Sequence, residues 1–163
     1  MTLKAGDRIP EASFTLVGAK GPEPVKASDY FKNRKVLLFS VPGAFTPTCH
    51  KTHLPGFLEK AEEIKKKGVA AIAVVAVNDP FVLDAWLDST GAKGKIDGLA
   101  DGSGDFAKAT GTELDLAAHG LGVRSKRYAA LIADGVVLWI NAEDDSSKAT
   151  VSSAEAALKH LNV

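Results

Sequence analysis

The sequence contains very little sulfur: its 163 residues include one cysteine and one methionine. A single cysteine excludes a disulfide within the chain, and it excludes a zinc site built from several cysteines. Low cysteine content is typical of a protein from a reducing compartment. The segment from Met1 to Asp7 lacks the apolar core of a secretory signal peptide. We therefore expect a cytoplasmic protein.

The sequence also lacks an excess of either charge, because 20 Lys and Arg residues balance 20 Asp and Glu residues. Balanced charge argues against nucleic acid or an anionic membrane surface as a partner. No apolar run reaches the roughly 20 residues that a membrane-spanning helix needs. With 45% hydrophobic and 25% charged residues, the composition is that of a soluble globular protein. The length predicts one domain over residues 1–163.

The hydrophobic pattern predicts alternating strands and helices in the first half of the chain. Val36 to Val41 and Val69 to Val77 are apolar nearly throughout, which is typical of strands buried on both faces. Between them, from Thr48 to about Lys67, apolar residues recur at steps of three and four and predict one long helix. Asn78-Asp79-Pro80 predicts the capped start of a helix that reaches about Thr90.

The other segments are predicted from local capping and turn signals. They are a strand over Ala12 to Val17, turns over Gly18 to Pro24 and Asp101 to Gly104, a helix capped by Ser28, a helix from Gly104 to Gly111, a hairpin of Tyr128 to Ala133 and Val136 to Ile140 around Asp134-Gly135, and a last helix from Ser152 or Ser153 to Leu161.

This order of elements predicts an α/β fold with a mixed central sheet and helices on both faces. Strands that are joined through helices pair in parallel, whereas the late hairpin adds antiparallel strands. A thioredoxin-like fold satisfies both requirements. A flavodoxin-like sheet is the alternative, and the hairpin disfavours it.

Cys49 lies where a predicted strand gives way to a predicted helix, at the end of Pro42-Gly43-Ala44-Phe45-Thr46-Pro47-Thr48-Cys49. A lone cysteine is most often a small buried hydrophobe. Here, however, the unpaired N–H groups of a helix start favour the nucleophilic thiolate. Thr46 stands at a plausible N-cap, where its hydroxyl can reach the sulfur, and Pro42 and Pro47 stiffen the loop. The residues alone allow a structural or a reactive cysteine.

The octapeptide resembles the active-site signature of peroxiredoxins, Pro-x-x-x-Thr-x-x-Cys, and most closely that of the type II or atypical members (the Prx5 subfamily). Four further segments resemble type II peroxiredoxins in the same order, so the resemblance spans nearly the whole chain. They are His53 to Phe57, Val77 to Val82, Ala100 to Gly104 and Gly120 to Tyr128.

The resemblance implies a thioredoxin-like fold and reduction of hydrogen peroxide or alkyl hydroperoxides. It implies that Cys49 attacks the peroxide and becomes a sulfenic acid, that Thr46 hydrogen-bonds the peroxide and the thiolate, and that Pro42 shields the pocket. Backbone N–H groups of Thr48 and Cys49 are expected to hold the peroxide oxygens. Arg127, which precedes the aromatic Tyr128, is expected to be the catalytic arginine.

Three neighbouring residues carry weaker expectations. Arg124 is the other arginine near the signature Tyr128, and we expect it to make a loop contact. His50 and His53 flank the thiol, but a metal site needs three or four converging ligands. We expect His53 to pack or hydrogen-bond near the pocket. No metal, haem or flavin cofactor is implied.

The sequence departs from many type II relatives at Val74, which stands where they carry a second, resolving cysteine. With one cysteine in the chain, the sulfenic acid has to be reduced by an outside thiol. The resemblance therefore implies a one-cysteine member that uses glutathione, glutaredoxin or thioredoxin. The alternative is a non-catalytic redox sensor or thioredoxin-fold binding module that is oxidised once at Cys49.

Type II relatives commonly pair through loops around the active site. In this sequence the corresponding segments are Pro42 to Phe45 and Pro80-Phe81. Exposed apolar side chains there would gain from burial, so we expect a homodimer.

Overall fold

The computed structural model describes residues 2–161, which form a seven-stranded sheet, a separate two-stranded sheet and surrounding helices. The strands are β1 (Ser13–Gly18), β2 (Gly21–Lys26), β3 (Lys35–Ser40), β4 (Ala71–Ala76), β5 (Asp97–Ala100), β6 (Glu113–Leu116), β7 (Gly122–Ser125), β8 (Tyr128–Ala133) and β9 (Val136–Ala142). The helices are α1 (Ala27–Tyr30), α2 (Leu54–Glu59), α3 (Ala61–Lys66), α4 (Pro80–Ser89), α5 (Asp105–Thr110) and α6 (Ala154–Leu161).

The large sheet has the strand order β2-β1-β5-β4-β3-β8-β9. Its centre is parallel, since β4 pairs in parallel with both β3 and β5. Its two sides are antiparallel, because β1 pairs with β5 and β2, and β8 pairs with β3 and β9. This mixed sheet confirms the predicted thioredoxin-like α/β fold, and the flavodoxin-like alternative is wrong.

Helices cover both faces of the sheet, as the uninterrupted apolar run of β3 predicts. Along β3, Leu37 and Phe39 face a core that contains side chains of α2, α3, α4 and α6. Val36 and Leu38 face a second core that contains side chains of α1 and α5. All four of these β3 residues are fully buried. None of the helices over residues 2–161 has the length and apolarity to cross a membrane.

The long helix predicted from Thr48 to Lys67 is broken in the structure. It opens with a π-helical turn over Cys49–His53, in which the Leu54 amide donates to the Cys49 carbonyl. Pro55 has no amide hydrogen, so an α-helical bond cannot form there, and the wider turn precedes it. A second break comes at Lys60, where the backbone leaves helical geometry between α2 and α3.

Of the other helix starts that were predicted from capping residues, two are confirmed and one is wrong. Asp79 caps α4 by accepting a hydrogen bond from Val82, and Ser153 caps α6 by accepting one from Ala156. The Ser28 cap is wrong, because α1 begins at Ala27 and the Ser28 hydroxyl instead donates to the Glu11 carboxylate. The Asp134-Gly135 hairpin is confirmed, with positive φ at both residues, as a tight hairpin turn requires.

The stretch from Gly18 to Pro24, predicted as a turn, contains most of the edge strand β2. Pro22 and Pro24 fit there because β2 pairs on one side alone, with β1. A proline at the free edge of a sheet gives up no hydrogen bond of the ladder. The predicted turn at Asp101 to Gly104 is present, and the Asp101 carboxylate accepts from two amides of α5.

Candidate active site

Cys49 lies in the connection that follows β3, nine residues after Ser40, at the start of the π-helical turn. Helical backbone begins at Pro47, two residues earlier, so the predicted position just inside a helix start is confirmed. The thiol is fully buried among apolar side chains of the larger core cluster. Burial alone would leave it inert, so the polar groups that reach the sulfur decide its chemistry.

Arg127 supplies the polar contact to this buried thiol. Its Nη2 donates to Cys49 Sγ at 2.9 Å. The arginine directly precedes β8, is itself 2% exposed, and is held by a bond from Nε to the Ser146 carbonyl at 2.9 Å. The structure thus places a buried positive charge in direct contact with the sulfur.

His53 holds the other side of the guanidinium. Arg127 Nη1 lies 2.8 Å from His53 Nδ1, and His53 Nε2 lies 2.8 Å from the Ser152 carbonyl. A carbonyl accepts only, so Nε2 carries the proton and Nδ1 accepts from the arginine. Burial and the adjacent Arg127 charge lower the pKa of His53 to about 3. The neutral ring therefore acts as a fixed acceptor that orients the guanidinium toward the sulfur.

Thr46 is placed differently from the prediction. Its carbonyl accepts from the His50 amide, as at a helix start. Its hydroxyl, however, donates to the Gly43 carbonyl at 2.6 Å and does not cap the helix. No hydrogen bond joins Thr46 to Cys49 within residues 2–161. The hydroxyl oxygen keeps its lone pairs, so it presents an acceptor at the cavity wall.

Arg124, the alternative catalytic arginine, lies away from the sulfur and supports the loop. Its Nη1 donates to the Pro42 carbonyl at 3.3 Å and its Nε to the Leu121 carbonyl at 2.8 Å. The guanidinium comes so close to Gly43 that a Cβ there would lie 2.7 Å from Nη1. Glycine at this position thus lets the arginine pack against the loop.

His50, next to the cysteine, points away from it. Its Nδ1 accepts from Trp86 Nε1 at 2.9 Å, and its ring stacks on Phe45 at 5.6 Å. Phe45 adopts a left-handed backbone, with φ of 63°, which is uncommon for a bulky residue. Trp86 is fully buried. Across residues 2–161, no three His, Cys, Asp or Glu side chains group as a metal site requires.

A cavity of about 260 Å³ opens above the Arg127–Cys49 contact. Its walls combine side chains of the predicted site with two apolar residues of the β6–β7 region and two residues after β9. The lining residues are Pro42, Thr46, Pro47, Thr48, Leu116, Leu121, Arg127, Ser146 and Ser147. The structure thus brings Pro42, Thr46, Thr48 and Arg127 together around one cavity, and of these Arg127 bonds the Cys49 sulfur.

The contribution of Ser146 and Ser147 was absent from the sequence prediction. Besides accepting from Arg127, this segment accepts from Thr48, whose Oγ1 donates to the Ser147 carbonyl at 2.6 Å. Both contacts use backbone carbonyls, which every residue carries. No local signal in the sequence could therefore have marked these two serines.

A sequence model of the Redoxin family matches residues 4–158. The chain is 48% identical over 166 residues to Peroxiredoxin-2E-2, chloroplastic, of Oryza sativa subsp. japonica, covering 98% of this chain and 73% of the relative. The solved structure of reduced Prx3 in complex with H2O2 from Vibrio vulnificus superimposes with a TM-score of 0.92 at 43% identity, over 98% of this chain and 99% of that one. Peroxiredoxin 5 from Alvinella pompejana superimposes with a TM-score of 0.84 at 37% identity, over 98% of each chain.

Proposed function

This chain belongs to the Redoxin family, as a peroxiredoxin within it, and from that membership we propose that Cys49 is its peroxidatic cysteine. Peroxiredoxins are thiol peroxidases that act through a cysteine, and this sequence has one cysteine. The observation that supports the assignment most is the 2.9 Å bond from the buried Arg127 to the Cys49 sulfur.

We assign the first reaction to the cavity above this contact. The Cys49 thiolate attacks the terminal peroxide oxygen, so that an S–O bond forms and the O–O bond breaks. Sulfur is oxidised to the sulfenic acid, and the departing oxygen takes a proton and leaves as water or an alcohol. Arg127 stabilises both the thiolate and the charge that develops on the leaving oxygen.

The remaining site residues shape the approach of the peroxide. Thr46 presents its hydroxyl to the peroxide, the amides of Thr48 and Cys49 hold its oxygens, and Pro42 keeps water from the thiolate. Leu116 and Leu121 give the cavity an apolar wall. That wall suits an alkyl hydroperoxide as well as hydrogen peroxide.

Recycling requires a thiol from outside the chain, because Val74 occupies the position of the resolving cysteine and is buried in β4. We propose that glutathione condenses with the sulfenic acid, releasing water and forming a mixed disulfide. Glutaredoxin then regenerates the thiol by exchange. Thioredoxin is the second candidate reductant. A cytoplasmic setting, which supplies all of these thiols, stays part of the proposal.

Steady-state peroxide consumption with each donor supplied alone tests this function. The wild-type chain is expected to turn over many times with glutathione and glutaredoxin, and the Cys49→Ser variant not at all while remaining folded. Substantial activity in Cys49→Ser would end the assignment of the nucleophile. A wild-type protein that is oxidised once and stops with every donor would instead be a redox sensor.

We also propose a homodimer formed by an apolar patch beside the site. Pro42, Gly43 and Ala44 are buried, contrary to prediction, so Phe45 alone of that segment is available. Phe45 is 50% exposed, and Phe81, in the first turn of α4, is 78% exposed. The loop that carries Phe45 is joined to the residues just before α4, because the Ala44 amide donates to Asn78 Oδ1 at 2.9 Å. Sedimentation of a Phe45→Ser/Phe81→Ser variant is expected to show a monomer under conditions where the wild type is dimeric; a wild-type monomer would remove the proposal.

A further inference from the structure

Glu143, the first residue after β9, is a buried carboxylate without a cationic partner among the described residues. Its two oxygens accept four hydrogen bonds from a segment seven to nine residues ahead. Oε2 accepts from the Thr150 amide at 2.8 Å, and from the Ser152 amide and hydroxyl at 2.7 and 2.6 Å. Oε1 accepts from the Thr150 hydroxyl at 2.9 Å.

These bonds hold the carboxylate as an anion. Burial raises the pKa of Glu143, but the hydrogen bonds from Ser152 and Thr150 outweigh burial and leave the pKa below its ordinary value. Hydrogen bonds to a charged acceptor are roughly twice as strong as neutral ones. Glu143 therefore ties together the two ends of the segment from Glu143 to Ser153, which we call the closing loop.

The closing loop turns three backbone carbonyls toward the candidate active site. The Ser146 carbonyl accepts from Arg127 Nε and the Ser152 carbonyl from His53 Nε2. The Ser147 carbonyl accepts from Thr48 Oγ1. Each of these three side chains lies beside Cys49 or lines its cavity, so the loop holds the site from one side.

The contacts form one connected path from Glu143 to the sulfur. Glu143 fixes Ser152, the Ser152 carbonyl fixes the proton of His53 on Nε2, and the opposite nitrogen accepts from Arg127. Arg127 in turn donates to Cys49 Sγ. The Glu143 amide also donates to the Arg127 carbonyl at 2.9 Å. Glu143 thus bonds the Arg127 backbone through its own amide, and its carboxylate reaches the guanidinium through Ser152 and His53.

We propose that Glu143 is a positioning residue for the reaction of Cys49 with peroxide, acting through the closing loop on His53 and Arg127. It touches neither the sulfur nor the cavity. Its anion keeps the loop carbonyls where they orient the guanidinium, and the guanidinium keeps the thiolate ready for attack. This inference rests on the proposed function, because it assumes that Cys49 is the reacting group.

The test compares Glu143→Gln with Asp144→Asn. Asp144 is the next residue and is exposed, and its carboxylate has no ion pair or hydrogen bond to the groups above; its variant loses the same charge. The rate of Cys49 oxidation by hydrogen peroxide is measured in a single turnover, without reductant. Glu143→Gln is expected to react about 10- to 100-fold more slowly, the size of effect that misplaced supporting groups produce. Asp144→Asn is expected to match the wild type.

A spectroscopic measurement separates positioning from general loosening of the fold. The ¹⁵Nε–H signal of Arg127, assigned with Arg127→Lys, is expected to shift in Glu143→Gln and to stay in place in Asp144→Asn. A folded Glu143→Gln protein with the wild-type oxidation rate and an unmoved Arg127 signal would overturn the proposal.

Thr150→Val decides the matter if Glu143→Gln does not fold, because it removes one of the four bonds. It is expected to slow oxidation about 2- to 10-fold, the worth of one such bond; an unchanged rate would overturn the proposal. Failure of the proposed function looks different, because peroxide consumption would then survive in Cys49→Ser. Failure of the Glu143 inference alone would leave Cys49→Ser inactive and Glu143→Gln at the wild-type rate.

Discussion

Two loops flank Cys49, and they are held in place by different means. The loop from Pro42 to Thr48 is stiffened by its own prolines and by Arg124, which donates to the Pro42 carbonyl. The closing loop has no proline and depends on the four bonds to Glu143. Each loop is bonded by a different arginine: Arg124 bonds the loop from Pro42 to Thr48, and Arg127 bonds the closing loop and the sulfur. One loop beside the reactive cysteine is therefore stiffened mainly by proline rings, whereas the other is held by the hydrogen bonds of a single carboxylate.

The largest expected effect comes from removing the arginine that joins the closing loop to the sulfur. Arg127→Ala is expected to slow oxidation of Cys49 by about 1,000-fold, the upper range for loss of one preorganised charge-stabilising donor. Arg124→Ala, its matched control, is expected to lose less than about tenfold. Stopped-flow oxidation by hydrogen peroxide measures both. A larger loss in Arg124→Ala would show that the loop from Pro42 to Thr48 controls the charge at the sulfur.

A smaller effect is expected on the proline-stiffened side. Thr46→Val removes the hydroxyl that bonds the Gly43 carbonyl and faces the cavity, and it is expected to slow oxidation by about 100-fold. Thr46→Ser keeps the hydroxyl and is expected to stay close to the wild-type rate. The same stopped-flow assay compares them. If Thr46→Val and Thr46→Ser were oxidised equally slowly, the methyl group of Thr46 and not its hydroxyl would be responsible for the wild-type rate.

The third effect is on the free energy of unfolding, whose pH dependence tests the two residues that support Arg127 from the side of the closing loop. His53, whose folded pKa of about 3 lies below its ordinary 6.5, is neutral when folded and binds a proton on unfolding below pH 6.5. The free energy of unfolding is therefore expected to fall as pH drops from 6.5 toward 3, by up to about 1.4 kcal/mol for each pH unit.

Glu143 contributes at lower pH, in a window that begins at pH 4.5 and overlaps the lower part of the His53 window. Its folded pKa is lowered from 4.5, so the stability it gives is present above pH 4.5 and is lost as pH falls below that value. Urea unfolding at a series of pH values measures both slopes. His53→Gln is expected to abolish the loss between pH 6.5 and 4.5, whereas His119→Gln, at an exposed histidine, is expected to keep it. An unchanged slope in His53→Gln would contradict the neutral buried ring.

The sequence predicted those parts of the structure that depend on neighbouring residues. The apolar run of β3, the Asp79 cap and the Asp134-Gly135 hairpin are all local patterns, and the structure contains each of them. The edge strand β2 was missed because it contains two prolines and none of its residues is buried. The break at Lys60 was missed because the helical spacing of apolar residues continues across it.

The residues of the candidate site also fall into a part that the sequence predicts and a part that it does not. Cys49, Thr46 and Pro42 are consecutive parts of one motif, and the position of Arg127 before Tyr128 places it at the start of a strand. The closing loop could not be predicted, because its contacts join residues far apart in sequence: Arg127 and Ser146 are 19 positions apart, and His53 and Ser152 are 99 apart. Backbone carbonyls accept these hydrogen bonds, so the residue types in the loop do not indicate that the bonds exist.

The complete burial of Cys49 sets a ceiling on how fast the proposed cycle can run. A cavity of about 260 Å³ admits a peroxide, but the thiol of a reducing protein is attached to a body far wider than that opening. The oxidised sulfur has to emerge first, by a local opening of the helix turn that carries it. Thioredoxin, which would attack Cys49 directly, depends on this opening, so at high thioredoxin concentration turnover would become independent of that concentration. The plateau would measure how often the fold opens rather than how well thioredoxin binds.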